Sequence, residues 1–452
     1  YHTHSSLSQI NKNRRQSNRD PKGPWEFPIL GSLLYLTDKP HLGLTAMSKR
    51  YGGVFRLWMG DLYSISVSDP KIIREVWHKN FESFTDRPII PSFIYFSGNF
   101  LNLAASKYER WKHNRHIVAN AFTKTKLKTI HNVLDRQCLN LINRMSEFAK
   151  SGQNFTPSDH LMKYSLNIIM MILCSEEMSY DDEAEGRLAE LIEPINQMFD
   201  MIGTGHPADF ITMFQPFYLV YLKYGPSKIL KRLHSYISAV YHEHLKDLDP
   251  ENPRDLFDQI ILYEYYGKHE ESIIRIAMDF IIAGTDTSGN TINWLMLYMV
   301  NNPEIQEKAY GELLATVGKD RAATVSDRIN TPYVMAIIKE VLRIKPTGPL
   351  GLPRMCTQDA EVEGYFIPKG TLMTMNIYAV HHDEEYWDQP SEFRPERFLD
   401  NNHTMYWIPF SVGPRDCVGS NLAMDEIYVA TANILLNFNI TSSTGKTLDD
   451  TE

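Results

Sequence analysis

One cysteine, Cys417, lies in a glycine-flanked loop directly ahead of an apolar, helix-forming stretch that starts near Leu422. A thiolate stays ionised and binds a metal when positive charge or amide donors lie close to it. Gly413 and Gly419 allow the backbone to bend close to a large flat ligand, where a β-carbon would clash. Arg415 can neutralise a carboxylate on such a ligand. Haem meets all of these requirements, and a cysteine ligand to haem iron favours cleavage of the O–O bond.

A lone cysteine before a helix is more often a small buried hydrophobe than a metal ligand. The surrounding residues favour the ligand, because they read Phe410-Ser-Val-Gly-Pro-Arg-Asp-Cys-Val-Gly419. This segment resembles the haem-binding loop of the cytochrome P-450 family, Phe-x-x-Gly-x-Arg-x-Cys-x-Gly, at every signature position. The resemblance implies that Cys417 is the axial ligand of the iron of haem b. It also implies that Phe410 and Arg415 contact the cofactor.

The composition restricts the classes of protein that remain. With 452 residues, 43% of them hydrophobic, the chain can bury a large core. A net charge of −9 argues against a nucleic-acid binder that relies on overall basicity. The four cysteines include no Cys-x-x-Cys pair, which excludes a Cys-rich zinc site and suits a reducing compartment. We predict a basic polar segment at residues 1–20 and a single haem-thiolate catalytic domain at 21–452.

Local patterns predict a mainly α chain with a small β-rich subdomain. Residues 107–345 are almost wholly helical in pattern, and Asp69-Pro70 begins a short helix before them. Residues 54–59 and 62–67, separated by a Gly60-Asp61 turn, predict a β-hairpin, and further strand patterns occur at 364–378 and 437–441. The family resemblance implies the same fold, with haem between the long central helix and the helix after the cysteine loop. Family members usually continue into a last β-hairpin, which we expect to be truncated here.

A second motif, Ala283-Gly-Thr-Asp-Thr-Ser288, lies inside a helix predicted from about Glu271 to Val300. Its glycine costs about 1 kcal/mol relative to alanine, so something must approach the backbone there. A kinked core helix would explain the pattern equally well without the cysteine loop. The resemblance implies an oxygen-binding groove instead. In that groove Gly284 makes room for O2, while Asp286 and Thr287 relay protons to it.

A third motif, Glu340-Val-Leu-Arg343, is weak alone, because Glu and Arg three residues apart often pair on helix surfaces. The later segment Phe393-Arg-Pro-Glu-Arg397 supplies a second basic partner. In the cytochrome P-450 family these groups form a buried charged triad. We therefore expect Glu340, Arg343 and Arg397 to support the cysteine loop structurally, without a catalytic role.

A fourth group consists of donors for the haem carboxylates, which need cations or N–H groups in a partly dry pocket. Trp111 and Arg115 lie four residues apart, and a simple amphipathic helix with a cation–π contact would explain them equally well. The resemblance favours haem contacts, from Trp111, Arg115, Arg415 and also Arg354 after a Leu-Pro turn. Another arginine of the family, ahead of the tryptophan, has no clear counterpart near Asn99.

The N-terminal part is polar and basic at residues 11–19 and rich in proline and glycine at 21–31. Basic residues of this kind flank the cytoplasmic side of membrane helices. The hinge that follows the anchor in microsomal family members is similar. A disordered polar terminus would also explain this composition. We expect a membrane anchor that is missing from this sequence, and a location on the cytoplasmic face of the endoplasmic reticulum membrane.

The resemblance implies an NADPH- and O2-dependent monooxygenase that hydroxylates an apolar small molecule: a lipid, steroid, terpenoid or xenobiotic. An NADPH-dependent flavoprotein reductase would supply electrons, docking on the cysteine side near Lys107, Arg110 and Lys112. The aromatic run at 210–224 is either core or a substrate entrance that touches the membrane. Two other functions remain open: a haem-thiolate isomerase or dehydratase, and a haem-binding sensor without turnover.

Overall fold

The computed structural model describes residues 20–121, 124–180, 205–225, 229–263, 269–400 and 405–451, together with Leu191 and Ile195. The basic polar segment predicted at 1–20 lies outside the described residues, apart from Asp20. Within these ranges, none of the helices combines the length and the apolar character that crossing a membrane would require.

Most of the described residues belong to helices, several of which begin at a proline whose fixed φ suits the first helical turn. In chain order the α-helices are α1 (Pro40–Tyr51), α2 (Pro70–Arg74), α3 (Pro91–Phe96), α4 (Tyr108–Ala121), α5 (Lys124–Ser151), α6 (Pro157–Cys174), α7 (Pro207–Phe210), α8 (Gln215–Tyr224), α9 (Ile229–Lys246), α10 (Leu256–Tyr263), α11 (Glu270–Asn301), α12 (Pro303–Thr316), α13 (Pro332–Ile344), α14 (Ile377–His381) and α15 (Ser420–Asn437).

The long helix α11 lies in the main hydrophobic core and packs against α6, α9, α13 and α15. Most of its side chains are buried, as expected for a helix that is apolar on nearly all sides. Its observed span, Glu270–Asn301, confirms the predicted helix to within one residue at each end. Because α11 is held from several directions, the polar residues in its middle have fixed positions relative to α15.

The strands form the small β-rich part: β1 (Val54–Met59), β2 (Leu62–Val67), β3 (Arg354–Met355), β4 (Ala360–Val362), β5 (Tyr365–Ile367) and β6 (Leu372–Met375). One sheet has the order β1-β2-β6-β3, and β4 pairs with β5 in a second. The predicted hairpin is confirmed, since β1 and β2 pair antiparallel from Val54 opposite Val67 to Met59 opposite Leu62. Strand β3 is an edge strand of this sheet, and it carries Arg354.

The strand predicted at residues 437–441 is wrong. Helix α15 continues to Asn437, and the residues after it have no ladder partner among the described residues. The side chain of Gln306 takes the place of a neighbouring strand: its Oε1 accepts from the amide of Ile440 at 2.7 Å, and its Nε2 donates to the Ile440 carbonyl at 3.1 Å. The backbone of Ile440 is therefore hydrogen-bonded by a side chain rather than by a neighbouring strand.

Candidate active site

A cavity of about 360 Å³ lies between α11 and the loop that precedes α15. It is lined by most of the residues that the sequence predicts for the site: Trp111, Arg115, Gly284, Thr287, Arg354, Phe410, Arg415 and Cys417. Asp286 lies beside the wall on α11, and the predicted charged triad lies outside the lining. The cavity volume falls within the range usual for small-molecule and cofactor sites.

The thiol of Cys417 is open to this cavity and otherwise enclosed by protein. The Cys417 amide donates to the Phe410 carbonyl at 3.0 Å, which closes the loop. Burial raises the pKa of the thiol, and Asp416 raises it further, while the Gly419 amide and Arg115 lower it. A thiolate in this position needs further positive charge, which a bound metal ion provides as it displaces the thiol proton.

Two buried arginines line the cavity with part of each guanidinium unpaired. Arg354 is 1% exposed and lies near the rings of Trp77 and Phe81. Arg415 donates from Nη2 to the carbonyl of Ser106 at 2.6 Å. Among the residues that the structure describes, Nε and Nη1 of both arginines have no hydrogen-bond partner. Buried unpaired donors are unfavourable, so this pair is suited to an anionic ligand.

The electrostatics of the cavity also favour an anion. Burial, followed by the positive charge of Arg87, lowers the pKa of Arg354 to about 8 and that of Arg415 to about 7. Such shifts mean that the charged guanidinium groups repel one another and lack water. A ligand that carries carboxylates relieves both effects at once.

Arg87 is a member of this cluster that sequence reasoning missed. It donates from Nε to the carbonyl of Ala104 at 3.0 Å and from Nη1 to the carbonyls of Leu352 and Pro353 at 2.8 and 2.9 Å. Arg87 lines the cavity ahead of the tryptophan, whereas Asn99 does not. No local pattern marks Arg87, because its partners are backbone carbonyls on distant segments.

Trp111 and Arg115 both lie on α4, as predicted, but they contact different groups. Trp111 is buried, and the guanidinium of Arg415 stands over its ring at 4.8 Å. Arg115 instead reaches the cysteine loop, where Nη1 donates to the backbone carbonyl of Asp416 at 2.8 Å and Nη2 to its Oδ1 at 2.7 Å. An amphipathic helix alone does not account for these positions, since both side chains line the cavity.

On α11, the motif contributes the hydroxyl-bearing residues Thr287 and Ser288 to the cavity wall, with the acid Asp286 beside them. The hydroxyl of Thr287 donates to the carbonyl of Ala283 at 2.7 Å, and Thr291 donates in the same way to the carbonyl of Thr287. Oδ1 of Asp286 accepts from Nδ2 of Asn290 at 3.0 Å. Repeated threonine bonds to the preceding turn bend helices slightly. The hydroxyl oxygen of Thr287 remains available as an acceptor at the wall of the cavity that Cys417 also lines.

The glycine of this motif has a packing reason that the sequence does not reveal. A β-carbon on Gly284 would overlap the side chain of Ile169 on α6. The close approach that the glycine permits is therefore that of a neighbouring helix. Gly284 also lines the cavity, so room for O2 at this position stays a prediction.

Asp279, one turn before Ala283 on α11, binds the loop at residues 102–104, which forms part of the cavity wall. Its carboxylate accepts from Nδ2 of Asn102 and from the amides of Leu103 and Ala104, each at 2.8 Å. Burial raises the pKa of Asp279 to about 7, against the lowering effect of these three donors. The contact fixes Leu103 and Ala104 as part of the cavity wall.

The structure brings Glu340, Arg343 and Arg397 together in one fully buried network. Arg343 binds Glu340 through two nitrogens, Nε to Oε2 at 2.7 Å and Nη2 to Oε1 at 2.8 Å. Nε of Arg397 donates to Oε1 of Glu340 at 3.0 Å. The remaining donors of both arginines bind backbone carbonyls between residues 381 and 392. Every charge in this network is paired, as buried charges must be.

His381 joins this network to the cysteine loop, a connection that sequence reasoning missed. Arg343 donates from Nη1 to the carbonyl of His381, and Nδ1 of His381 lies 3.1 Å from the carbonyl of Arg343. The amide of Ile408 donates to Nε2 of His381 at 3.0 Å, which fixes the neutral tautomer. Burial and Arg343 hold the pKa of His381 well below its usual range. The triad thus supports the backbone two residues before Phe410.

A family model described as Cytochrome P450 matches residues 21–452. The chain belongs to the cytochrome P450 family. Two relatives from Dictyostelium discoideum are a probable cytochrome P450 508D1, 38% identical over 449 residues, and a probable cytochrome P450 519E1, 37% identical over 475 residues. In each case the alignment covers 98% of this chain and 92% of the relative.

The fold agrees with this membership. A zebrafish cytochrome P450 solved with progesterone superposes with a TM-score of 0.76 and 28% sequence identity, over 88% of this chain and 92% of that one. Cytochromes P450 are generally haem-thiolate monooxygenases, and the family implies a haem cofactor and the use of O2. The mainly α architecture with a small β-rich subdomain is confirmed.

The residues of the cavity fit haem. The unpaired nitrogens of Arg354 and Arg415 are suited to its carboxylates, and Cys417 offers a sulfur to its iron. When bound, haem supplies the iron that activates oxygen. Cys417 would hold the iron, Arg354 and Arg415 would hold the carboxylates, and Thr287 on α11 would line the space where oxygen is activated.

Replacing each of the two glycines of the cysteine loop by alanine is expected to have very different effects on stability. Gly413 has φ +83°, and a β-carbon there would overlap the backbone carbonyl of Trp77. Gly419 has an ordinary backbone conformation, and none of the described residues comes within 4 Å of the position that a β-carbon would take there. Gly413→Ala should therefore destabilise the fold by roughly 2 kcal/mol or more, through backbone strain and overlap.

Gly419→Ala is the matched control and should leave the thermal unfolding temperature of the haem-free protein nearly unchanged. Thermal unfolding followed by circular dichroism measures both variants. Equal stability of the two proteins would contradict the packing role of Gly413.

Proposed function

We propose that the protein is an NADPH- and O2-dependent monooxygenase that hydroxylates an apolar small molecule. The observation that carries this proposal is that Thr287 lines the same cavity as the thiol of Cys417, with Asp286 next to it on α11. Insertion of one oxygen atom of O2, with release of the other as water, consumes two protons together with two electrons from NADPH. An acid next to a hydroxyl is the pair that can deliver them.

In this proposal each group has a separate task. Thr287 holds the proton at its hydroxyl, after turning from the carbonyl of Ala283 to which it donates. Asp286 exchanges protons with solvent and returns one to Thr287. Asn290 keeps the carboxylate of Asp286 in place by donating to its Oδ1. A haem-thiolate isomerase or a sensor has no need for this proton delivery.

The cavity wall favours an apolar substrate. Its lining includes the hydrocarbon surfaces of Leu103, Phe280, Ala283 and Leu352. The zebrafish relative was solved with progesterone, a compact apolar molecule, in a fold of the same kind. We therefore infer a substrate of the lipid, steroid, terpenoid or xenobiotic class. Such molecules gain affinity mainly from the burial of apolar surface.

A reductase would dock on the side of the cysteine loop, near the start of α4. Lys107 and Lys112 are exposed there, whereas Arg110 turns inward and donates to the hydroxyl of Ser272 at 3.3 Å. The two lysines thus supply the basic surface that steers an acidic electron donor, while Arg110 links α4 to α11.

The proposed function is tested with purified protein, a flavoprotein reductase, NADPH and a panel of apolar compounds first selected by their effect on the haem spin state. We expect NADPH consumption matched by a hydroxylated product. Rearrangement of a peroxide without NADPH would support the isomerase, and binding without any product would support the sensor. Either result would contradict monooxygenation.

Thr287→Ala is expected to retain haem and substrate binding but to release most of the reduced oxygen as peroxide. The reason is that the hydroxyl next to the cofactor is lost while the cavity keeps its shape. We expect the ratio of product to NADPH consumed to fall by roughly tenfold or more, the usual contribution of a positioned proton donor. Thr287→Ser, which keeps the hydroxyl, should retain most of the coupling. A fully coupled Thr287→Ala protein would exclude the proton-relay role.

We also propose that this protein binds a membrane surface through an aromatic patch. In the run at 210–224, Phe210 is buried, but Phe217 is 75% and Tyr224 is 79% exposed. Trp25 and Ile29, 66% and 64% exposed, extend the apolar surface from the N-terminal part. The β1–β2 turn contacts both segments: the amide of Gly60 donates to the carbonyl of Leu30 at 3.3 Å, and the amide of Asp61 donates to the carbonyl of Phe210 at 2.9 Å. Exposed aromatic patches of this kind are typical of interaction surfaces.

The double variant Phe217→Ser and Tyr224→Ser should reduce sedimentation with phosphatidylcholine–phosphatidylserine vesicles by about tenfold, since each aromatic ring contributes over a kcal/mol on burial. Ile329→Ser is the matched control, because Ile329 is 85% exposed on a separate 3-10 helix. Equal loss of binding in both proteins would contradict a specific membrane patch. Attachment to the endoplasmic reticulum remains part of this proposal.

A further inference from the structure

One face of α11 binds the loop at residues 97–104, which lies between α3 and α4. Ser272, Arg275 and Asp279 are three and four residues apart, so their side chains share this face of the helix. The hydroxyl of Ser272 donates to the carbonyl of Leu101 at 2.8 Å, and Asp279 accepts from three donors of the same loop. These contacts hold a segment that forms part of the cavity wall.

Arg275 is the central contact on this face. A β-carbon on Gly98, whose φ is +60°, would overlap the guanidinium group of Arg275, so the two pack directly against each other. Nη1 of Arg275 lies 3.5 Å from the carbonyl of Phe96, which is the long limit for a hydrogen bond. Nε donates to Oε1 of Glu271, four residues earlier on α11, at 2.7 Å. The position of Arg275 against the loop therefore depends on Glu271.

Glu271 is shared with a histidine of α9. Its second oxygen, Oε2, lies 2.8 Å from Nε2 of His234. The side chain of Arg275 is 15% exposed, whereas those of His234 and Glu271 are 30% and 43% exposed, so water reaches only the α9 end of these contacts. The hydrogen bond from His234, with a further one from Arg275, lowers the pKa of Glu271 to about 2, against the opposing effect of burial.

We propose that His234, Glu271 and Arg275 form a pH-dependent latch that positions the loop at residues 97–104 against α11 and so sets how readily the cavity opens. A protonated His234 completes an ion pair with Glu271, which keeps this carboxylate aligned with Arg275. A neutral His234 offers only a hydrogen bond, and only in one of its two tautomers. The proposal rests on the proposed function, because the loop forms part of the wall around haem and substrate.

The direction of the pH dependence follows from the charges that face His234. Glu271 loses its charge only near pH 2, and histidine is the side chain whose charge changes between pH 5 and 8. The latch is therefore strongest at the acidic end of that interval and weakens as the pH rises. The other charged groups on elements packed against α9 are Glu270 of α11, paired with His242; Arg254, Asp255 and Asp258 at the start of α10, near His244; and Glu176 after α6, which accepts from Tyr236.

Hydrogen–deuterium exchange of the haem-loaded protein tests the latch, through peptides that cover residues 97–104. Protection factors, corrected for the intrinsic exchange rate at each pH, are compared at pH 6 and pH 8. In the natural sequence we expect roughly threefold greater protection at pH 6, the size of effect that partly exposed ion pairs have. His234→Gln should show the lower protection at both pH values. His234→Lys, which is charged at both, should show the higher protection throughout.

His242→Gln is the matched control. His242 lies on the same helix and pairs with Glu270 at 3.4 Å, but Glu270 has no hydrogen bond to the loop among the described residues. This variant should therefore keep the full pH dependence. If His234→Gln does not fold, the natural sequence and His234→Lys still decide, since only the natural sequence should respond to pH.

Equal protection of the natural sequence at pH 6 and pH 8 overturns the proposal. A His234→Gln protein that keeps the pH dependence does so too, as does an equal loss of pH dependence in His242→Gln. If His234→Lys is protected as poorly as His234→Gln, the charge at this position has no effect on the loop and the latch is excluded. None of these measurements requires turnover, so failure of the latch is distinct from failure of monooxygenation.

Discussion

Cys417→Ser is expected to abolish the thiolate signature in the absorption spectrum of the reduced, CO-bound protein and to eliminate turnover. A serine hydroxyl stays protonated under these conditions and donates far less electron density than a thiolate. The rest of the cavity would be unaltered, because one oxygen replaces one sulfur. We therefore expect the variant to bind haem through its arginine contacts but without the spectroscopic and chemical effect of sulfur ligation.

Cys356→Ser is the control for this experiment. Cys356 is buried in the small β-rich part, and its thiol donates to the carbonyl of Gln358 at 2.9 Å, a bond that a hydroxyl can replace. This variant should keep the full thiolate signature. If instead Cys417→Ser left the spectrum unchanged, the axial ligand would have to be another residue and the assignment of the site would be wrong.

Glu340→Gln is expected to have the largest effect on stability of any single charge removal in the described residues. Glu340, Arg343 and Arg397 are almost fully buried, and the carboxylate of Glu340 is the shared ion-pair partner of both guanidinium groups. Without it, two positive charges remain in a dry environment. Removing one partner from a buried ion pair destabilises a protein by about 3–5 kcal/mol. The damage should extend to haem retention, because the triad supports the cysteine loop through His381.

Chemical denaturation of the haem-loaded and haem-free proteins measures this effect. Glu147→Gln is the matched control, since it removes the same charge from a surface pair with Arg144 in which the acid is 56% exposed. Exposed pairs contribute about 0–1 kcal/mol, so this variant should unfold almost like the natural sequence. A similar small change in Glu340→Gln would mean that the network has no structural role.

Much of the fold could be predicted from local pattern. The hairpin β1–β2 and the bounds of α11 follow from alternation and from apolar periodicity, both of which are encoded within short stretches. The failed strand at 437–441 shows the limit of this approach. Its residues suit a strand, but secondary structure of that kind depends on a partner, and here a glutamine from α12 provides the hydrogen bonds.

The candidate site shows the same contrast between residues that a local motif predicts and residues whose role depends on distant contacts. Cys417, Thr287 and Glu340 stand in short motifs whose spacing is itself informative. Arg87 and the link from His381 to the cysteine loop could not be predicted, because both depend on contacts with carbonyls and amides far away in the chain. Contacts of that type leave no trace in residue spacing. Gly284 illustrates an intermediate case, since its presence signalled a close approach but not that Ile169 was the group approaching.

The unpaired guanidinium groups of Arg354 and Arg415 have a consequence for how the protein is produced in a cell. Without a ligand, the native state confines like charges that the unfolded chain would expose to water, so the chain gains little by closing the cavity alone. A ligand that binds only the native form shifts this balance by mass action. The yield of folded protein should therefore rise with the supply of free haem during synthesis, because folding and haem binding are coupled.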